Sequence, residues 1–173
     1  MSFELLQLET HNFMFEIRPA TPADVPEIFA LIQALAEYEK LSHQVTGSID
    51  HLHNHLFGEK PYVEALVAIV ENKAIGFALF LHNYSTFLTK PGIYLEDLFV
   101  RPDYRGWGIG KALLTELAGI AVARGCGRLE WSVLDWNESA IGFYKRMGAT
   151  VLPDWRICRV TGEALTHMAT SSS

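Results

Sequence analysis

The run from Val100 to Lys111, Val-Arg-Pro-Asp-Tyr-Arg-Gly-Trp-Gly-Ile-Gly-Lys, sets a basic, glycine-rich turn between an apolar strand and an amphipathic helix. Gly106, Gly108 and Gly110 carry no Cβ. The backbone there can bend tightly and bring successive N–H groups against an anion at the positive end of the helix dipole. Arg105 and Lys111 add charge, so the chemistry this turn favours is that of a phosphate cradle; the bland reading is a helix cap without a ligand. The spacing differs from the two commoner phosphate loops. A dinucleotide fingerprint needs G-x-G-x-x-G with an acid about 20 positions on, and a P-loop needs G-x-x-x-x-G-K-[ST], whereas Lys111 is followed by Ala112.

Just upstream, Glu96 and Asp97 interrupt an otherwise apolar strand, and at least one of them is expected to have a chemical task rather than to be an outward acid. Strand alternation predicts opposite faces for the two, hence separate roles. Downstream, Tyr144 lies seven residues after Asn137, two helical turns away on nearly the same face, so both can point toward one ligand. A core aromatic in Phe143-Tyr144 is the alternative. His51, His53 and His55 would share a face only in a strand. Ile49, Leu52, Leu56 and Phe57 have helical spacing, which scatters the histidines and predicts a solvated or lid-like face with no metal site. Cys126 and Cys158 lack C-x-x-C spacing and indicate neither a disulfide framework nor zinc.

The elements that must position these residues run strand, helix, strands, helix, strand, helix, strand. Met14 to Arg18 alternates as a strand, and Thr21 can cap a helix that has Pro22 at its first position and Asp24 in its first turn. Ile28, Leu31, Ile32 and Leu35 form an apolar stripe on that helix, which closes at Tyr38 and Glu39. Tyr62 to Val70 and Ala74 to Leu81 are β-rich runs joined by Glu71-Asn72-Lys73, the pattern of an antiparallel hairpin. Ile93 to Val100 makes the central strand, and Ala112, Leu113, Leu114, Leu117 and Ile120 mark the helix after the glycine turn. Leu129 to Leu134 predicts another strand, Asn137 caps a helix ending near Gly148, and Trp155 to Val160 reads as a final strand. The sum is a mixed α/β sandwich.

At 173 residues with 49% apolar content, the chain suits one domain with a substantial core. The expected division is an N-terminal extension over 1–13, a single domain over 14–168 and a flexible tail over 169–173. Met1 to Phe13 hold Glu4 and Glu9 but no Lys or Arg, unlike a signal peptide, and no apolar run reaches membrane-spanning length. A cytoplasmic protein without membrane association is expected. The net charge of −6 argues against a nucleic-acid surface and suits a cationic small substrate.

The segment R-x-x-G-x-G, Arg105 to Gly110, resembles the pyrophosphate signature of the GNAT N-acetyltransferases, which bind acetyl-CoA. The resemblance extends through Leu95-Glu-Asp-Leu-Phe-Val100 and through Val133-Leu-Asp-Trp-Asn-Glu-Ser-Ala-Ile-Gly-Phe-Tyr144, in the order and spacing of that superfamily. More closely, Phe15-Glu-Ile-Arg-Pro-Ala-Thr21, Glu37-Tyr-Glu-Lys-Leu41, Phe57-Gly58, Tyr94-Leu-Glu-Asp97, Trp136-Asn137 and Gly162-Glu-Ala164 are similar to the spermidine/spermine and thialysine (diamine) acetyltransferase branch, from about residue 15 to 168. The resemblance implies a GNAT fold: a mixed central sheet flanked by helices, with splayed strands that bind CoA. It also implies a homodimer and transfer without a metal.

Acetyl transfer to an amine needs the amine neutral, although an alkylammonium has a pKa of about 10.4. Glu96 is placed to hold the ammonium and to accept its proton, directly or through water. The resemblance makes Tyr144 the acid that protonates the departing CoA thiolate. It assigns cofactor contacts to Leu98, Phe99, Val100, Arg105, Gly106, Trp107, Gly108, Ile109, Gly110, Lys111, Asn137, Ser139 and Ala140, with a free N–H of the central strand polarising the thioester carbonyl. It carries substrate contact onto Tyr38, Glu39, Glu96 and Trp155, an acidic and aromatic set suited to a flexible cation; core packing is the plainer reading of Trp155. The polyamine branch has an acid in the loop before the central strand, where this chain has Tyr84-Ser-Thr86, as the thialysine branch does. That favours a short diamine or a lysine-like amino acid over a long polyamine. Pro153-Asp154 departs from the acidic stretch that precedes the corresponding tryptophan. A protein lysine, an antibiotic amine and a non-catalytic CoA-binding regulatory module are the competing readings.

Overall fold

The computed structural model describes residues 14–171. The expected extension over 1–13 lies outside them. The chain divides after Ser132 into two compact units.

The first unit opens with β1 (Glu16–Pro19), a 3-10 turn over Pro22–Asp24 and α1 (Val25–Tyr38). The Asp24 carboxylate accepts from the Thr21 N–H at 2.7 Å and from its hydroxyl at 3.0 Å, and pairs with both Nη groups of Arg18 at 2.7 and 2.9 Å. These bonds, the arginine's foremost, hold the buried carboxyl down to a pKa of about 2. They tie β1 to the start of α1. A short 3-10 turn (Ser42–Gln44) leads to α2 (Ile49–Phe57), capped by the Ser48 hydroxyl, which accepts from the His51 N–H. The helix turns His53 toward Phe57 but keeps His51 and His55, four apart, on one face with their rings stacked 6.3 Å apart, so the expected scatter holds for His53 and not for the other two.

β2 (Glu64–Val70), β3 (Lys73–Ser85) and β4 (Lys90–Val100) form an antiparallel meander with β1 at its edge. The turn into β3 is made by Glu71 and Asn72 at φ 47° and 63°, the left-handed pair that matches the twist of a hairpin. α3 (Ile109–Ala123) then returns the chain to β5 (Leu129–Trp131), which pairs parallel with β4 and gives the mixed order β1-β2-β3-β4-β5. One sheet face buries Ala65, Val67, Phe77, Leu79 and Phe99 against Val25, Ile28 and Leu31 of α1 and Leu56 of α2. The alternate positions Leu66, Ala68, Ala78, Phe80 and Leu95 are buried on the other face, where α3 packs through Leu113, Leu114 and Leu117.

The second unit holds α4 (Glu138–Arg146) and α5 (Gly162–Thr170). The predicted strand over 155–160 is not formed: these residues are irregular and exposed. Their composition favours a strand, but a strand exists only on a ladder, and residues 133–171 contain no other strand for it to pair with. α5 runs to Thr170, into the stretch expected as a tail.

Candidate active site

In the first unit the glycine turn is built by backbone conformation. Gly106 and Gly108 stand at φ 84° and 83°, a region that residues with a Cβ enter only at a cost, and nothing lies within 4 Å of where a Cβ would sit on either. Glycine is required here by the dihedral, and the space above the turn is open. Gly108 is the N-cap of α3 and offers no capping side chain. The Ala112 N–H makes the helix's first return bond, to the Gly108 carbonyl at 2.9 Å. The N–H groups of Ile109, Gly110 and Lys111 therefore have no intrahelical acceptor, and no acidic side chain stands in that first turn. Trp107 packs edge-on against Tyr104, centroids 5.0 Å apart, and steadies the turn from its outer side.

Arg105 is exposed but not loose. Its Nε donates to the Val100 carbonyl at 3.1 Å, and its guanidinium carbon lies 4.6 Å from the Tyr38 ring centroid and 5.6 Å from that of Phe99. The last residue of α1 and the first residue of the turn are thus in contact.

The acids are arranged by an irregularity. Leu79 of β3 faces Asp97, whereas Phe80 faces Leu95, so Glu96 is an extra residue on β4, a β-bulge. Opposed residues of an antiparallel pair share a face. Asp97 therefore sits on the Leu79 and Phe99 side, toward α1, while Leu95, two positions earlier, sits on the α3 side. Strict alternation fails at the bulge, since Leu95 and Asp97, two apart, lie on opposite faces. Burial, then the charges of Glu96 and Glu39, push Asp97 up from 3.8 to about 6. Burial alone raises Glu39, the residue that closes α1. Asp97 thus feels two further carboxyl groups, Glu96 of its own strand and Glu39 at the end of α1, and it is the acid that the role given to Glu96 left aside. A bulge depends on register between strands, so only the adjacency of two acids in an apolar strand could have pointed to it.

The same bulge coincides with the end of the parallel ladder. β5 pairs with Ile93, Tyr94 and Leu95 and stops, and Asp97 to Val100 continue with β3 as their ladder partner. Leu98, Phe99 and Val100 face Ala78, Phe77 and Gly76 there, and among the described residues no strand pairs with them on the β5 side of β4. Ser85, at the end of β3, is buried, and its hydroxyl accepts from the Leu88 N–H at 3.2 Å, so it shapes the hairpin tip.

In the second unit, the Asn137 side chain caps α4 by accepting from the Ala140 N–H at 3.2 Å, with Ser139 in the same first turn. Tyr144 is half-buried, its ring 5.4 Å from that of Phe143. Trp155 is 80% exposed in the irregular stretch between the two helices, outside the α4 group. Among the described residues no group of three His, Cys, Asp or Glu side chains is placed to hold a metal ion, and no helix is long and apolar enough to cross a membrane.

Residues 28–149 match the acetyltransferase (GNAT) family. The chain is 40% identical to the thialysine N-epsilon-acetyltransferase of Bos taurus over 88% of its length and 96% of the relative's. It is 37% identical to the L-ornithine N5-acetyltransferase of Arabidopsis thaliana over 90% and 88% of the two chains. Among solved structures, an integron cassette protein from the mobile metagenome of V. cholerae superposes with a TM-score of 0.76 at 29% identity, covering 91% of this chain and 98% of that one. A five-stranded mixed sheet whose fourth strand runs past its parallel neighbour into a glycine turn is accordingly the scaffold of an acetyltransferase, and the chain belongs to the GNAT family.

Proposed function

We propose that residues 14–168 act as one acetyl-CoA-dependent N-acetyltransferase domain that acetylates a primary amine of a small diamine or a lysine-like amino acid by direct attack in a ternary complex. The observation that carries this reading is the placement, on consecutive stretches of one strand and turn, of an acidic cluster for a cation and an open glycine cradle for an anion. The α3 N–H groups, Arg105 and Lys111 hold the pyrophosphate. The unladdered edge at Leu98 to Val100 offers backbone groups to the pantetheine arm and an N–H to the thioester carbonyl. Acetyl-CoA, when bound, supplies the thioester.

Glu96, Asp97 and Glu39 attract the ammonium, and an ionised carboxylate among them takes its proton, directly or through one water. The nitrogen lone pair then forms the amide bond as the C–S bond breaks, and Tyr144 protonates the leaving thiolate. Asn137, Ser139 and Ala140 present the α4 N-terminus to the cofactor, and Trp155 contributes an aromatic face to the amine. The names of the thialysine and ornithine relatives support an amino-acid-like amine, and Ser85 in place of an acid supports a short one. The resemblance supports a homodimer. The test is CoA-thiol release with thialysine, ornithine, lysine, short diamines, spermidine and spermine. Preference for the first four classes is expected. Preference for spermidine overturns the substrate, and acetyl-CoA binding without turnover of any primary amine overturns the enzyme.

A further inference from the structure

We infer that Tyr38, at the amine end of the site, is the positioning residue for the arginine that grips the cofactor's pyrophosphate, an inference that rests on the acetyltransferase reading above. Arg105 is exposed, and among the described residues it forms no ion pair; the three present join Arg18 to Asp24, Arg124 to Glu64 and Arg128 to Glu130. No carboxylate orients it. What fixes it is the Nε bond to the Val100 carbonyl at 3.1 Å and the two ring faces, Tyr38 at 4.6 Å and Phe99 at 5.6 Å. With Nε committed to the backbone, the two Nη groups remain to meet an anion, and a planar guanidinium stacked on an aromatic ring keeps its orientation while doing so.

The two rings are not equivalent. Phe99 is buried in the sheet and cannot change its place without disturbing the core. Tyr38 is 39% exposed and ends α1, one residue before Glu39. A ring in that position reports the state of the acidic cluster to the phosphate turn: whatever moves the end of α1 moves the face on which Arg105 rests. Acetyl-CoA affinity is therefore set in part by a residue that the family resemblance assigns to the amine, and by linkage an amine that engages Tyr38 alters the cofactor's affinity by the same factor that the cofactor alters the amine's.

Isothermal titration of acetyl-CoA into the full chain tests this. Tyr38→Leu should weaken binding about twofold to thirtyfold, the range of a cation–π contact between exposed and desolvated settings. Tyr38→Phe, which keeps the ring, should bind as the wild type does. In an Arg105→Gln background, Tyr38→Leu should cause no further loss, because the ring then has no cation to hold. If the leucine variant does not melt as a folded protein, Tyr38→Met fills the same space without a ring and takes its place. Wild-type affinity in the ringless variant, or the same loss with and without Arg105, overturns the inference while leaving the acetyltransferase reading intact. Absence of acetyl-CoA binding in the wild type overturns that reading itself, and this inference with it.

Discussion

Asp97 carries the most work to be explained at the scale of one residue. Its carboxyl titrates near 6 instead of 3.8 because it is half-buried beside Glu96 and Glu39. A carboxyl raised on folding binds its proton more tightly in the native state, so its ionisation costs stability. The cost is absent below the unfolded pKa, grows as pH rises from 3.8 toward 6 and is complete above it. The shift sets that cost at up to about 3 kcal/mol. Asp97→Asn removes it, and denaturant unfolding should show the variant no more stable than wild type near pH 4 but more stable near pH 8, both values being about two units either side of the titration. The catalytic consequence has the opposite sign. An ionised Asp97 attracts the ammonium, so kcat/KM for the amine should fall below pH about 6 in the wild type, and that acid limb should be missing in Asp97→Asn. A variant that keeps the limb removes Asp97 from the site. Glu96 was named from its type and its place in an apolar strand, and Glu39 through the family resemblance. Asp97 was legible only as a neighbour, because the extra residue that turns it toward α1 is decided by the register of β3 against β4.

At the scale of elements, the glycine turn and the strand before it depend on one another. The bulge at Glu96 lies where the β4–β5 ladder ends, and a bulge bends and twists its strand. The free edge of β4 then leads through a short 3-10 turn (Pro102–Tyr104) to Gly106 and Gly108, whose positive φ angles aim the start of α3 back along it. At Gly108 an alanine meets nothing in space, so its penalty is conformational, about 1–2 kcal/mol for an L residue held in the left-handed region. Asparagine enters that region more readily than alanine, and a β-branched residue far less. Acetyl-CoA affinity and thermal midpoint should therefore both rank glycine, asparagine, alanine, valine at position 108. Asparagine ranking below alanine would mean that space, not dihedral, is limiting. This turn was readable from the chain because glycine spacing encodes backbone angles directly. The segment over 155–160 was misread for the converse reason: alternation and β-branched residues express a preference, and a ladder needs a partner that local pattern does not contain. α5 escaped notice because its nine residues offer only Leu165 and Met168 as large apolar side chains, too short a stripe to announce a helix, and both are exposed.

At the scale of the molecule, the field is set by where the charge lies. Residues 133–173 contain four Lys and Arg against four Asp and Glu, so the whole net charge of −6 belongs to residues 1–132, the half that carries the acidic cluster and the glycine turn. A cationic amine is drawn by the net field and by the local acids together. An anionic cofactor meets net repulsion at a distance and attraction from Arg105 and Lys111 only when close. Raising the ionic strength from about 0.01 M to about 0.1 M shortens the Debye length from about 30 Å to about 10 Å, which erases the distant term and spares the near one. For the amine both terms have the same sign, so kcat/KM should drop, and should drop more for a dication than for a monocation of equal length. For acetyl-CoA the distant term is a repulsion and the near attraction is spared, so kcat/KM should hold or rise. Steady-state kinetics across that salt range, with one substrate saturating while the other is varied, separates the two. Equal salt slopes for the dication and the monocation would show that the acids act only at contact, and that the asymmetry of charge between the two halves has no part in bringing the amine to the site.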